Sequence, residues 1–222
     1  MNSTPKPIRI VVTSDFICPW CWIGHRRLAD GVRLAGLALP PQVVFMPYEM
    51  NPAMPAEGVS RRQYRTGKFG SWARSQAMDA EVALAGRSLG LTFNFDSIEI
   101  TPRTRLAHRL MVMAQAHDDG KRAGALFEAI FAAYFTAGRD IGSLEVLVDL
   151  TVSAGLDGAL AREYLNGTGG EDEVAAAQAR GVKDGICSLP TVRIDGRQVS
   201  GAQPASVLAE TLREAARVVG LN

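Results

Sequence analysis

Two cysteines separated by two residues lie in the stretch Ile17-Cys18-Pro19-Trp20-Cys21-Trp22-Ile23-Gly24-His25. Upstream, residues 8–12 are mostly β-branched and predict a strand. Downstream, Pro19 favours the first turn of a helix, because its missing N–H costs nothing there. The N-terminus of a helix stabilises a thiolate and lowers a cysteine pKa from about 8.5 to about 3.5–7.5 in such motifs. The stretch therefore predicts Cys18 as a nucleophile and Cys21 as its resolving partner.

The helix that opens at this motif is predicted to end near Gly36, a residue suited to a helix C-terminus. Cys21 and His25 share one face of it with an apolar stripe made of Leu28, Val32 and Ala35. That face is predicted to be buried. Cys21 should therefore point inward, whereas Cys18, at the helix tip, should remain accessible.

Composition indicates an ordinary folded chain. Its 222 residues are 47% hydrophobic and 21% charged, which suits one large domain or one domain with an insertion. The net charge of +1 gives no reason to expect a nucleic-acid partner. No apolar run approaches the roughly 20 residues that span a bilayer, so no membrane association is predicted.

The number of cysteines and the residue types at the N-terminus indicate the redox compartment in which the protein acts. Three cysteines do not make a disulfide scaffold, and residues 1–7 lack the apolar segment of a signal peptide. We therefore expect a cytoplasmic protein. In a reducing cytoplasm, a C-x-x-C pair is catalytic or metal-binding rather than structural.

The order of predicted elements is β-α-β, a long helical segment, then β-β-α. A second strand is predicted at residues 42–46 and a loop at 51–70, followed by helices from about 72 to 182. Near the C-terminus, Asp195-Gly196 between two short strands predicts a two-residue hairpin. The sequence thus predicts an α/β fold with a four-stranded mixed sheet. It also predicts that residues 1–58 and 183–222 form the α/β domain, with its thioredoxin-like order of elements, and that residues 59–182 form an all-helical insertion domain.

With a C-x-x-C opening its first helix, this arrangement resembles the thioredoxin superfamily. The motif from Cys18 to Gly24 resembles the FrnE-type branch of the DsbA family. Three further stretches support the resemblance, and they are residues 107–110 (Ala-His-Arg-Leu), 134–141 and Gly201-Ala202-Gln203-Pro204. It implies a thioredoxin-like fold and a thiol–disulfide oxidoreductase or isomerase. The redox group would be a Cys18–Cys21 disulfide with no bound cofactor, and glutathione is a candidate co-substrate.

The resemblance also implies residues that contact a thiol or disulfide substrate, either a protein or a small molecule. Pro190 would be a cis-proline facing the cysteines, and Leu189 would expose its backbone to a substrate peptide. Pro19 and Trp20 are expected to line the same surface. The family commonly has Gly-Val before this proline, so the bulkier Leu189 is expected to narrow or redirect access.

Four residues are candidate modulators of the thiols. Asp15 is expected to cap the motif or take up a proton, and as a nearby carboxylate it would raise a cysteine pKa. His25 is a core histidine or tunes Cys21 from one turn away. His108 faces the site by resemblance, or simply packs. Cys187 is a small buried hydrophobe or a third redox sulfur.

Two alternatives to redox chemistry stay open from the sequence. Cys18, Cys21, His25 and Cys187 form a Cys₃His set, so a zinc-binding or chaperone-like module is one of them. Zinc is the weaker prediction, because structural zinc pairs usually sit on turns, and we predict no metal. The other is a glutathione-dependent isomerase or kappa-class-like transferase, against which the intact cysteine pair argues. The oligomeric state is left open.

Overall fold

The computed structural model describes residues 6–117 and 122–218. Its strands are β1 (Arg9–Ser14), β2 (Gln42–Pro47), β3 (Val59–Ser60), β4 (Ile100–Thr101), β5 (Thr191–Ile194) and β6 (Arg197–Ser200). Its helices are α1 (Pro19–Ala35), α2 (Arg61–Phe69), α3 (Trp72–Arg87), α4 (Arg105–Ala116), α5 (Ala123–Phe135), α6 (Leu144–Ser153), α7 (Gly158–Asn166), α8 (Glu171–Lys183) and α9 (Ala205–Val218). Residues 1–5, which include most of the segment used for the signal-peptide expectation, lie outside the described ranges.

The predicted four-stranded mixed sheet is confirmed, with strand order β2-β1-β5-β6. Strand β1 runs parallel to β2 and antiparallel to β5, and its alternate residues Ile10 and Val12 are buried. The predicted hairpin joins β5 to β6, and both turn residues have positive φ, 44° at Asp195 and 89° at Gly196. Positive φ at both positions is the geometry of a type I′ turn, which fits the twist of the flanking strands.

Helix α1 begins at Pro19 and ends before Gly36, whose φ of 62° provides the left-handed cap that the sequence predicts. It packs against α9 at very close range. A Cβ atom on Gly31 would lie 2.9 Å from Leu208 Cβ, so only glycine permits this approach. The packing fixes the angle at which α1 presents its N-terminal cysteines.

The sequence predicts a loop at residues 51–70, and this prediction is wrong for its second half, which forms helix α2. Arg61 and Arg65 lie one turn apart on α2 and both pair with Asp79 of α3, each at 2.7 Å. Asp79 and Arg61 are buried. Gly67 lowers the local helix preference of this segment, and the pairing with α3 stabilises a helix that the sequence pattern did not indicate.

A cluster of aromatic rings joins the sheet to the helical segment. Phe45 of β2 stacks on Phe127 of α5 with ring centroids 4.2 Å apart, and Phe16 lies 5.0 Å from Phe131. Phe16, Phe127 and Phe131 are fully buried. These contacts cross the boundary that separates residues 59–182 from the rest, and the division of the chain into two domains remains a prediction.

Two glutamine side chains hydrogen-bond along the outer edge of β2. Gln115 of α4 accepts from the Phe45 N–H at 2.7 Å and donates to the Phe45 carbonyl at 2.9 Å. Gln178 of α8 bonds in the same way to the backbone of Glu49, just beyond the strand, at 2.7 and 3.2 Å. The two helices are thereby tied to the backbone next to the candidate site. Across the described ranges, no helix combines the length and apolar character needed to cross a membrane.

Candidate active site

The two cysteines lie at the carboxyl end of β1, as the sequence predicts. Cys18 is the N-cap residue of α1 with an extended backbone (φ −96°, ψ 107°), and Pro19 begins the helix. The N–H of Cys18 donates to the Asp15 carbonyl at 3.0 Å, and the N–H of Cys21 donates to the Cys18 carbonyl at 3.0 Å. Cys18 therefore sits where the unpaired N–H groups of a helix favour a negative charge.

The two thiols are not equally exposed, although the difference is smaller than expected. Cys21 is completely buried, as predicted, but Cys18 is only 7% exposed, so the expectation of an openly accessible Cys18 is wrong. The loop that precedes β5 covers it, because the Cys18 sulfur faces the Leu189 carbonyl oxygen at 4.0 Å. Both cysteines are free thiols in this structure.

The two thiols differ more in pKa than in exposure, because their electrostatic environments differ. A hydrogen bond from the Cys21 side chain lowers the pKa of Cys18, helped by backbone hydrogen bonds from Cys21 and Trp20 and opposed by burial and by the Asp15 charge. Burial raises the pKa of Cys21 well above its ordinary value, and the neighbouring Cys18 raises it further. The site therefore favours a thiolate on Cys18 while Cys21 keeps its proton.

Pro190 and Leu189 lie against the cysteine helix. The Leu189–Pro190 peptide bond is cis. The buried Pro190 ring packs on α1 so closely that a Cβ atom on Gly24 would lie 2.6 Å from Pro190 Cγ. Trp20, between the two cysteines, is 37% exposed. Leu189 is partly buried. Trp20 and Leu189 therefore give the entrance to Cys18 an apolar rim.

Asp15 and His108 meet beneath the cysteines. His108 extends from α4, and its Nε2 lies 3.4 Å from Asp15 Oδ1, with both side chains buried. The other carboxylate oxygen of Asp15 accepts from the Met50 N–H at 2.7 Å. No side-chain hydrogen bond caps α1, so the expectation that Asp15 caps the motif is wrong, and the Asp15 carbonyl instead accepts from the Cys18 N–H. The Asp15 charge nevertheless raises the pKa of both thiols, as the sequence argument anticipated.

His25 turns away from the thiols. Its Nε2 lies 3.4 Å from Glu128 of α5, and its ring centroid lies 4.8 Å from that of Phe127. Burial lowers the pKa of His25, and the charges that act on it are those of Glu128 and Arg26. His25 therefore joins α1 to α5, and the structure shows no contact through which it would tune Cys21.

These features can be compared with known proteins. Residues 9–213 match the DsbA-like thioredoxin domain family. The chain belongs to this family. A probable DsbA oxidoreductase from Streptomyces coelicolor has the same fold, with a TM-score of 0.84 and 29% identity over 94% of this chain and 89% of that one. The uncharacterized protein YwbO of Bacillus subtilis is 25% identical over 208 residues, which are 93% of this chain and 96% of YwbO.

The cytosolic disulfide reductase DsbM from Pseudomonas aeruginosa shares the fold at a TM-score of 0.68 and 21% identity, covering 95% of this chain and 99% of DsbM. A second structure of DsbM holds GSH and aligns with a TM-score of 0.63 at 17% identity, covering 96% of this chain and 97% of that one. The thioredoxin-like fold predicted from the sequence is thus confirmed for this DsbA-like protein.

The third cysteine of this DsbA-like protein, Cys187, does not lie where one of the sequence predictions placed it. Cys187 is exposed, not a buried hydrophobe, because it lies in the loop between α8 and β5. Among the described residues, no three histidine, cysteine or acidic side chains converge as metal ligands. The proposed Cys₃His set of Cys18, Cys21, His25 and Cys187 is therefore not brought together.

Two residues that sequence reasoning missed belong to the surroundings of the site. Glu128 accepts from the indole N–H of the buried Trp22 at 2.7 Å and also pairs with Arg26 at 3.1 Å. Met50 anchors Asp15 through its backbone and leaves its side chain 38% exposed. Both reach the motif from distant segments. The sequence carries no spacing signal for either contact.

Proposed function

We propose that this DsbA-like protein is a dithiol–disulfide oxidoreductase in which Cys18 attacks a substrate disulfide and Cys21 resolves the product. The observation that carries the proposal is the placement of the two thiols, with Cys18 at the N-cap of α1 and Cys21 completely buried one turn later, and the pKa values of the two thiols shift in opposite directions. Hydrogen bonding from Cys21 lowers the pKa of Cys18, whereas burial raises the pKa of Cys21. A nucleophilic cysteine must be a thiolate, whereas a resolving cysteine must keep its proton until the mixed disulfide has formed.

The reaction has two exchange steps. The Cys18 thiolate attacks one sulfur of the substrate, forming a Cys18–substrate disulfide and releasing the other sulfur as a thiolate. Cys21 then loses its proton and attacks Cys18, forming the Cys18–Cys21 disulfide and releasing the second substrate sulfur. The substrate gains two electrons and the enzyme loses two. Run in reverse, the same two exchange steps oxidise a substrate dithiol. Isomerisation follows instead when another thiolate of the same substrate attacks the Cys18–substrate disulfide, which releases the Cys18 thiolate with no net transfer of electrons.

The apolar rim supports a role for four residues in substrate binding. Trp20 is exposed between the cysteines, Pro19 fixes the helix start, and Leu189 and Pro190 close the opposite side. We assign these residues to substrate contact. The Leu189 carbonyl lies 4.0 Å from the Cys18 sulfur, so a substrate peptide is expected to pair there.

The proposal also includes the cellular compartment of the protein and the thiol that reduces it. We assign the protein to the cytoplasm and to the FrnE type, with glutathione as co-substrate. The support is the low cysteine content of the chain, the motif Cys18-Pro19-Trp20-Cys21 and the fold shared with DsbM, a cytosolic reductase whose structure with GSH is known. In a reducing cytoplasm a C-x-x-C pair is maintained as the reactive dithiol.

Trapping with Cys21→Ser tests the function. Because exposed Cys187 would form adducts of its own, all variants carry Cys187→Ser. Cys21→Ser should accumulate a mixed disulfide with glutathione disulfide or protein disulfides, and Cys18→Ser/Cys21→Ser should form none. Full exchange activity in Cys18→Ser would overturn the assignment. Conjugation of glutathione by Cys21→Ser would favour the isomerase or transferase prediction instead.

A further inference from the structure

The main sheet has one buried face and one partly open face. On β1, Ile10 and Val12 are buried, whereas Val11 between them is only partly buried and Arg9 is exposed. Successive side chains of a strand point to opposite faces of its sheet. Arg9 and Val11 therefore lie together on the open face.

A cleft of about 630 Å³ lies over this open face, between the sheet and helices α4 and α8. Its floor is apolar. Val11 of β1 pairs in register with Val44 of β2, and Met46 lies two residues further along β2 on the same face. All three side chains are partly buried, so each keeps apolar surface available in the cleft. Small-molecule sites have volumes of about 300–1,000 Å³ and mainly apolar linings, and this cleft fits both criteria.

Helix α8 forms one wall of the cleft. The residues of α8 that line the cleft recur at helical spacing on one face, and they are Glu173, Ala176, Ala177 and Arg180. Other residues hold the helix in place, because Val174 is fully buried and Gln178 bonds to the backbone of Glu49. The middle of the face toward the cleft carries only methyl groups, so open space remains between a fixed helix and the sheet.

Positive charge surrounds the apolar floor. Arginines from three elements line the cleft, with Arg9 on β1, Arg180 on α8 and Arg193 on β5. Among the described residues that line it, Glu173 is the one acidic residue. Arg193 is paired with Asp184 at 3.0 Å, so its charge is compensated. The lining therefore has an excess of positive charge.

The excess comes from Arg9 and Arg180, which are both exposed. Within residues 6–117 and 122–218, neither guanidinium group forms an ion pair. Asp195 accepts from the backbone N–H of Arg9, at 3.3 Å. A guanidinium group presents a planar fork of donors that a carboxylate fits. Charge complementarity at the rim therefore favours an anion, and the floor favours an apolar body.

We propose that this cleft is a second ligand site, which binds a small amphiphilic carboxylate. The apolar body of the ligand lies on the floor, and its carboxylate meets the two unpaired arginines at the rim. The site is distinct from the one assigned to disulfide substrates, because Trp20 and Leu189 do not line it. The inference therefore goes beyond the proposed function and does not depend on thiol chemistry.

Isothermal titration calorimetry with decanoate tests the proposal, at about pH 8, where a carboxylate is ionised. The titration stays below the concentration at which decanoate forms micelles. Decyltrimethylammonium has the same chain with a positive head group, and it should bind at least about tenfold more weakly because the arginines repel it. Octanoate, which is two methylene groups shorter, should also bind about tenfold more weakly, because it buries less apolar surface.

Variants locate the bound ligand. Ala177→Phe fills the cleft and should abolish the binding of decanoate. Arg9→Gln and Arg180→Gln should each weaken binding about three- to fivefold, which is the effect of an ion pair at an exposed rim. The two substitutions together should weaken it about tenfold or more. Arg74→Gln, at an exposed arginine of α3 outside the cleft, should leave the affinity unchanged.

Trp20→Ala separates this site from the apolar rim at Cys18. Trp20 offers a decyl chain a second exposed apolar surface, and its removal should leave the affinity for decanoate unchanged. Loss of binding in Trp20→Ala, equal binding of decanoate and decyltrimethylammonium, full binding in Ala177→Phe, or no binding of decanoate by the parent protein would each overturn the inference.

The arginine variants keep the test independent of folding. Arg9 and Arg180 are exposed, so their replacement by glutamine leaves the packing of the sheet and of α8 as it is. Circular dichroism spectra that match the parent protein exclude loss of the fold in Ala177→Phe. If that variant does not fold, the double arginine variant decides, and an affinity equal to that of the parent protein would overturn the inference.

Discussion

The sulfur of Cys18 lies 4.0 Å from the carbonyl oxygen of Leu189. The two residues are 171 positions apart in the chain, and they meet because β5 pairs with β1 and brings the preceding loop over the start of α1. The side chain of Leu189 is thereby fixed at the entrance to the nucleophile. We expect the size of this side chain to limit which disulfides reach Cys18.

Leu189→Ala should widen this entrance. We expect the attack of Cys18 on a protein disulfide to accelerate by about five- to tenfold, in line with what the size of a side chain does to substrate selection. The rate with a small disulfide such as hydroxyethyl disulfide should change little. Stopped-flow measurement of mixed-disulfide formation in Cys21→Ser checks both rates. Equal acceleration of the two substrates would contradict a steric role for Leu189.

The pKa of Cys18 should depend on the side chain at position 21. The largest influence lowering the pKa of Cys18 is the hydrogen bond from Cys21, so Cys21→Ala should raise that pKa and shift thiolate formation to higher pH. Cys21→Ser retains a hydroxyl donor and should shift it less. Ultraviolet absorbance of the thiolate against pH, in a Cys187→Ser background, gives both curves. Coincident curves for the alanine and serine variants would rule out this origin of the shift.

The buried Arg61–Asp79–Arg65 group should be essential for stability. Asp79→Asn removes the carboxylate that two guanidinium groups share at 2.7 Å, and Arg61 has a side chain only 5% exposed. An uncompensated buried charge costs about 3–5 kcal/mol of unfolding free energy. Asp30→Asn, which breaks an exposed pair with Arg33, should cost no more than about 0.5–1 kcal/mol. Urea unfolding measures the difference, and similar losses in the two variants would contradict it.

His25 should make the fold less stable at mildly acidic pH. Burial lowers the pKa of His25 below its ordinary value of 6.5. Below about pH 6.5, His25 therefore binds a proton in the unfolded chain while it stays neutral in the folded chain. Stability is therefore full above this pH and falls as the pH decreases. His25→Gln should flatten the unfolding free energy between about pH 7 and pH 5.5. His117→Gln, at an exposed position, should leave the slope unchanged. Parallel curves for His25→Gln and the parent protein would disprove this linkage.

The parts of the fold that local chemistry determines could be predicted from the sequence. Pro19 after Cys18 marks the helix start, Gly36 marks its end, and Asp195-Gly196 has the residues of a type I′ turn. Each of these signals lies within a few residues of the structure it specifies. The inward position of Cys21 follows in the same way from helical spacing.

What the sequence does not reveal depends on distant partners. Helix α2 was missed because its stability comes from Asp79 on another helix, and Cys18 is less accessible than expected because Leu189 covers it. The contact between Asp15 and His108 joins positions 93 residues apart, and no spacing in the sequence encodes it. The exposure of Cys187 likewise follows from the path of a loop.

The glutamines on β2 have a consequence for how the molecule behaves at high concentration. An unpaired strand edge is a template on which another chain can add a strand and start aggregation. Gln115 occupies both backbone groups of Phe45, Pro47 has no N–H to offer, and Gln178 occupies both groups of Glu49. A recruited strand therefore finds no free backbone group at Phe45 or, just beyond the strand, at Glu49, and no N–H donor at Pro47. We therefore expect a polypeptide that reacts at Cys18 to stay unpaired with this part of the sheet edge.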